Sequence, residues 1–127
     1  MPNPSPRRGD IFWVNVPPHH AVGSEQYKRR PWIIISGDAV LNQRLVIALP
    51  LTSRIQKQNR QFRVLIAGSN IILESGSGMT AGDQLALTEQ LRALSIDRLE
   101  YPRAARLTDT ALYAVEAGVA FVLEIPQ

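Results

Sequence analysis

Arg30, Thr52 and Glu25 are the residues of this 127-residue sequence whose types and surroundings point most directly to chemistry. Arg30 ends Lys28-Arg29-Arg30 and precedes Pro31, Thr52 lies in Pro50-Leu51-Thr52-Ser53, and Glu25 belongs to Gly23-Ser24-Glu25-Gln26. A guanidinium, a hydroxyl and a carboxylate suit scission of RNA without a metal ion, because the substrate's own 2′-hydroxyl can attack the neighbouring phosphate. That reaction asks for a proton acceptor, a proton for the departing oxygen, and donors that stabilise the extra negative charge of a phosphorane. Arginine meets the last need, being permanently charged and shaped to match phosphate oxygens. Thr52 is suited to hold a nonbridging oxygen and Glu25 to accept the proton. Each of the three, taken alone, is an ordinary loop or strand-end residue. Their shared position at the ends of elements bordering two basic loops, where scaffolds commonly place functional groups, raises their standing.

Other chemistries fit less well. The chain has no cysteine, which removes disulfide scaffolds, thiolate zinc sites and thiol catalysis. His19-His20 suggests a metal site or a proton-transfer pair, but adjacent histidines point apart and no third ligand stands at a recognisable spacing, so no metal and no cofactor is expected. Gly76, Gly78 and Gly82 come with neither the lysine nor the helix start of a phosphate-binding loop. Aromatic residues make up 6% of the chain, too few for a base-stacking platform, and Trp13 and Trp32 sit in apolar runs that read as core.

Charge is distributed unevenly. Residues Met1 to Leu73 carry ten basic and three acidic side chains, a net of +7, and the remainder carries four against eight, a net of −4. A polyanion is drawn to whatever surface the first part supplies. With 45% hydrophobic and 20% charged residues the composition is that of an ordinary globular domain, and the length suits one domain. Asp10, Asn15, Pro17 and Pro18 interrupt the apolar stretch that Arg7-Arg8 would need to act as an export signal. The runs Leu45 to Leu51 and Ala117 to Leu123 fall well short of the roughly 20 residues of a membrane span. A cytoplasmic protein is expected.

These residues must be positioned by a scaffold of short strands. Residues 1–8, with three prolines, read as a flexible tail, and residues 9–127 as a single domain. From Asp10 an apolar run predicts a strand buried on both faces, ended by Pro17-Pro18; Pro17 to Arg30 then reads as a long surface loop. Trp32 to Ile35 predicts a second strand and Leu45 to Ala48 a third, stopped by Pro50. Thr52 to Arg60 is a second, basic loop, followed by a half-exposed strand over Gln61 to Ile66 with Arg63 outward. Gly68 to Gly82 is rich in turns, with a short strand over Ile71 to Leu73. Gln84 to Leu94 fits helix or strand by periodicity. Leu112, Val115, Val119 and Val122 form one helical stripe, with Thr108 or Thr110 able to cap its start. The sum is five or six strands in a closed or nearly closed antiparallel sheet with one amphipathic C-terminal helix.

At this point the residues carry a resemblance. Arg8-Gly9-Asp10-Ile11-Phe12-Trp13-Val14, Gly23-Ser24-Glu25-Gln26 with Arg30-Pro31, Trp32 to Ser36, Pro50-Leu51-Thr52-Ser53, and Glu89-Gln90-Leu91-Arg92-Ala93-Leu94 with Asp97-Arg98-Leu99 stand in an order that resembles the MazF/PemK toxins. The resemblance runs from about Arg8 to Leu99. It implies an SH3-like antiparallel β-barrel with a C-terminal helix, a homodimer, an antitoxin partner, and ribosome-independent cleavage of single-stranded RNA to a 2′,3′-cyclic phosphate and a 5′-hydroxyl. It places the family's arginine on Arg30 and its threonine on Thr52, with Glu25 in support, and puts Gln84 to Thr88 in a strand. Gln90 falls where the family contacts RNA. Ser24, Gln26, Lys28, Ser53, Arg54 and Lys57, in the two loops beside these residues, complete the expected RNA contacts. Two other readings use the same scaffold: a non-enzymatic gyrase-binding toxin resembling CcdB, and a plain nucleic-acid-binding barrel using the basic stretch from Arg44 to Arg63.

Overall fold

The computed structural model describes residues 4–17, 22–23, 28–57 and 61–126. Strand β1, Asp10–Val16, buries Ile11, Phe12, Val14 and Val16, so the expected burial on both faces holds. It is flanked by β2, Lys28–Ile34, and β8, Leu99–Leu107, both antiparallel to it. Alternate residues feed two separate cores. Ile11, Ile33, Leu49 and Leu51 pack on one face with Leu112, Val115 and Val119 of the C-terminal helix. Phe12, Val14, Trp32, Ile34, Val46 and Ala48 pack on the other with Leu94 and Leu99.

Strand β3, Leu45–Thr52, corrects the expected stop at Pro50, because it runs through the proline to Thr52. It pairs with β2, and on its other edge first with β7, Arg92–Ser95, through residues 45–48, then with β6, Gln84–Leu87, through Leu51 and Thr52. Pro50 falls between those two ladders. Opposite Trp32 it is tolerated for a second reason. Ile35 donates its N–H to the Ile47 carbonyl at 2.8 Å. Alternation then makes Ile33 and Leu49 a hydrogen-bonded pair and Trp32 and Pro50 a pair that requires no bond from the proline nitrogen.

Two further strands complete the sheet: β4, Arg63–Ile66, paired with β6, and β5, Ile71–Leu73, paired with β8. The order is β4-β6-β3-β2-β1-β8-β5 with β7 beside β3. The edge strands β4 and β5 are consecutive in the chain and are joined by Ala67 to Asn70 alone. Six interstrand spacings in a flat sheet would set them about 29 Å apart, whereas five residue steps reach about 18 Å at most. The sheet therefore curls into an antiparallel half-barrel, in line with the expected barrel-like antiparallel sheet, with eight strands where five or six were expected.

Helix α1, Asp109–Val122, closes the chain, and among the two candidate caps Thr108 is used. Its Oγ1 accepts from the Ala111 N–H at 3.3 Å and donates to Asn70 Oδ1 at 2.9 Å, tying the helix start to the β4–β5 connection. Leu112, Val115 and Val119 are buried and Val122 is half-buried. Each large buried side chain contributes roughly 1.5–3 kcal/mol relative to exposure. Gly118 permits the close seating of α1: a Cβ there would lie 2.7 Å from Val64 Cγ2 and 3.0 Å from the Phe62 carbonyl oxygen. Among the described residues no helix is long and apolar enough to cross a membrane.

Candidate RNA-cleavage site

Arg30 belongs to β2 and not to the preceding loop, since Lys28, Arg29 and Arg30 already pair with Val16, Asn15 and Val14. The apolar run that follows fixes the register, and the basic triplet is carried along with it. Continued two residues past Trp32 and Pro50, the β2–β3 register sets Arg30 across from Thr52. Both lie beyond the last paired residues of that ladder, on the sheet face of Trp32 and Pro50. Residues opposite one another on neighbouring strands share a face, so Val14, Arg30, Thr52 and Leu85 lie on one face of β1, β2, β3 and β6. Val14 and Leu85 are fully buried, Thr52 is buried and Arg30 half-buried. The guanidinium and hydroxyl thus share a face with buried apolar side chains, beside which interactions with an anion are screened less than in bulk water.

Thr52 ends β3 as its chain turns. Its Oγ1 accepts from the Arg54 N–H at 3.2 Å, and Ser53 O accepts from the Ile55 N–H at 2.9 Å. A hydroxyl that accepts in this way retains its proton for a second acceptor. Ser53 and Arg54 are exposed beside it, and Lys57 ends the 3-10 turn Ile55–Lys57. Lys28 opens β2 exposed and with φ of 76°, in the left-handed region that a lysine rarely adopts. Ser24, Glu25, Gln26, His19, His20, Tyr27 and Arg60 lie outside the described residues.

Gln90 closes the 3-10 turn Thr88–Gln90, which follows directly on β6, the strand paired with Thr52. The turn is held by two groups on or beside β4: Thr88 Oγ1 donates to the Phe62 carbonyl, and Arg63 is ion-paired with Glu89. That pairing corrects the expectation of Arg63 directed outward, because its side chain is largely covered and paired with Glu89. The segment Gln84 to Leu94, ambiguous by periodicity, resolves into strand, turn and strand.

Sequence reasoning gave Arg29 no separate role. On the sheet face opposite Arg30, its guanidinium stacks 4.2 Å from the centre of the Trp13 ring, and its Nε donates to both oxygens of Glu100 at 2.9 and 3.2 Å. Trp13 is consequently only partly core. Arg29 and Glu100 are 71 positions apart, so no local pattern announces the pair. Among the described residues no three histidine or acidic side chains are grouped as a metal site.

With this geometry in place, the sequence matches the family of PemK-like, MazF-like toxins of type II toxin-antitoxin systems over residues 7–123. MazF from Deinococcus radiodurans is similar in structure, with a TM-score of 0.68, 27% identity and coverage of 94% of this chain and 96% of that one. The MazE-MazF complex from the same organism matches at a TM-score of 0.64 and 26% identity, covering 95% and 97%. An endoribonuclease in complex with its cognate antitoxin from a Mycobacterial species shares the fold, at 0.67 and 18% identity over 97% and 99%. No curated protein sequence matches the chain.

Proposed function

The chain belongs to the PemK-like, MazF-like toxins of type II toxin-antitoxin systems, and from that premise we propose that residues 9–127 form an endoribonuclease domain acting on single-stranded RNA. The observation that carries this reading is the placement of Arg30 and Thr52 on one sheet face, at the facing ends of β2 and β3. A scissile phosphate lying over them meets a fixed cation and a hydroxyl donor. The 2′-oxygen attacks phosphorus while its proton passes to Glu25, and a bond to phosphorus forms as the bond to the 5′-oxygen breaks. Arg30 and the Thr52 hydroxyl bear against the nonbridging oxygens, whose charge grows in the phosphorane. The 5′-oxygen leaves and takes a proton from solvent, giving a 2′,3′-cyclic phosphate and a 5′-hydroxyl.

The nucleophile resides in the substrate, so the chemistry requires no metal-bound water. To Ser24, Gln26, Lys28, Ser53, Arg54, Lys57 and Gln90 we assign the binding of the adjoining nucleotides. The chain works as a homodimer. Its antitoxin silences it with a segment that folds on binding and covers the basic loops with acidic side chains. Sequencing the 5′ ends of a long unstructured RNA after incubation with purified protein tests the reading: new 5′-hydroxyl ends at a recurring short sequence are expected. Intact RNA under these conditions would overturn it.

A further inference from the structure

We propose that Trp13, Arg29 and Glu100 form a positioning clamp that sets Arg30 against the scissile phosphate; the inference rests on the cleavage reading above. Successive residues of a strand face opposite sides of the sheet, so Arg29 projects from the reverse of the surface that presents Arg30. There it is fixed from two directions. The Trp13 ring on β1 lies 4.2 Å beneath the guanidinium, and the Glu100 carboxylate on β8 accepts from Nε at 2.9 and 3.2 Å. Trp13 is fixed in turn, its indole N–H donating to the Ser77 carbonyl at 2.9 Å.

The first residues of β2 need such a hold. Val16↔Lys28 is the last pair on the β1 side, and Lys28 stands in left-handed backbone with φ of 76°, unfavourable for a residue with a Cβ. On the β3 side the ladder proper begins at Trp32, two residues after Arg30. The clamp supplies fixation where that ladder does not yet reach. An exposed ion pair alone holds little, and here both partners are about half exposed. The stacked ring adds a planar support that a guanidinium matches and an ammonium does not. The strand end is thereby held in rotation, and the residue following Arg29 is aimed with it.

The test is steady-state cleavage by Glu100→Gln, Trp13→Leu, Trp13→Phe and Arg30→Ala proteins, with the thermal midpoint of each. Glu100→Gln removes a negative charge, and simple electrostatics would make it bind RNA no less tightly. The clamp instead predicts a kcat about tenfold lower with KM and the thermal midpoint little changed, since small misplacement of a catalytic group carries large rate effects. Trp13→Leu is expected to behave alike, and Trp13→Phe, which keeps a ring face, to recover most of the rate. In an Arg30→Ala background neither Glu100→Gln nor Trp13→Leu should slow the residual reaction further. Unchanged kcat in both single variants, or a further full loss in the Arg30→Ala background, would overturn the clamp and leave the cleavage reading standing. Full activity of Arg30→Ala would sink the site itself and the clamp with it.

Discussion

Arg63 and Glu89 join β4 to the turn that follows its neighbour β6: Arg63 Nε and Nη2 both donate to Oε2 of Glu89, the first at 2.8 Å, with each side chain only about one-fifth exposed. Oε1 of Glu89 is buried and has no hydrogen-bond partner among the described residues. A basic residue that looks available to RNA in the sequence is thus committed to the turn that carries Gln90. Arg63→Met should lower stability by about 1–3 kcal/mol in urea denaturation, because it strands a carboxylate in a poorly solvated place. The double change Arg63→Met with Glu89→Met should cost less than the sum of the single changes. Strict additivity would mean the pair carries no coupling.

Arg30→Ala and Thr52→Val should each reduce the cleavage rate by roughly 10²–10³, the usual loss for one donor to a developing oxyanion. Circular dichroism and the thermal midpoint should remain close to those of the parent chain. Thr52→Val keeps the shape of a buried side chain and removes only the hydroxyl. The rate should persist in EDTA, and a requirement for added divalent ion would contradict the proposed chemistry.

Gly118→Ala sets two opposed effects against each other. Alanine favours an exposed helix interior by about 1 kcal/mol over glycine, but here the new methyl would meet Val64 Cγ2 at 2.7 Å and the Phe62 carbonyl at 3.0 Å. Backbone on one side and a packed β-branched side chain on the other leave it little room. Overpacking of this kind costs about 1–3 kcal/mol, so the substitution should lower the thermal midpoint by several degrees. A rise would show that α1 can shift off β4.

Tyr101 should weaken the fold at alkaline pH. Burial pushes its phenol above the usual value and the nearby Asp97 carboxylate adds to the effect, against an opposing contribution from Arg44. A raised pKa means that the native chain keeps the proton where the unfolded chain loses it. Stability from this group is therefore full below the unfolded value near 10 and is lost as pH rises through it toward the folded value. Urea midpoints measured across that range should fall more steeply for the parent chain than for Tyr101→Phe. Parallel slopes would remove Tyr101 as the cause.

Arg103 is a structural cation. It donates from Nη1 to Asp10 at 2.8 Å and from Nε to Glu74 at 3.0 Å, and the Asp10 hydrogen bond outweighs partial burial in raising its pKa. Asp10 is buried and also accepts from the Arg7 N–H at 2.9 Å. Arg103→Leu should destabilise the chain by about 2–4 kcal/mol, by leaving the Asp10 carboxylate buried without its cation. Asp10→Asn in the same background should recover part of the loss, as read from urea midpoints.

Much of the scaffold was legible because its signals are local. The apolar run of β1, the stripe Leu112-Val115-Val119 and the Thr108 cap depend on residue types a few positions apart, and the chain uses them as written. Pro50 misled because a proline's cost depends on what its nitrogen faces, and that is set by two other strands. Arg63 misled for a similar reason, since its partner lies 26 positions away.

The sequence by itself determined the type of the clearest elements, the two-faced burial of β1 and the residues suited to phosphate chemistry, because period, capping and side-chain chemistry are properties of short segments. Only the tertiary structure decided which of those residues meet. Cross-strand register depends on every strand's packing at once, and it is register that sets Arg30 and Thr52 on one sheet face, stacks Arg29 on Trp13, and turns Arg63 toward Glu89.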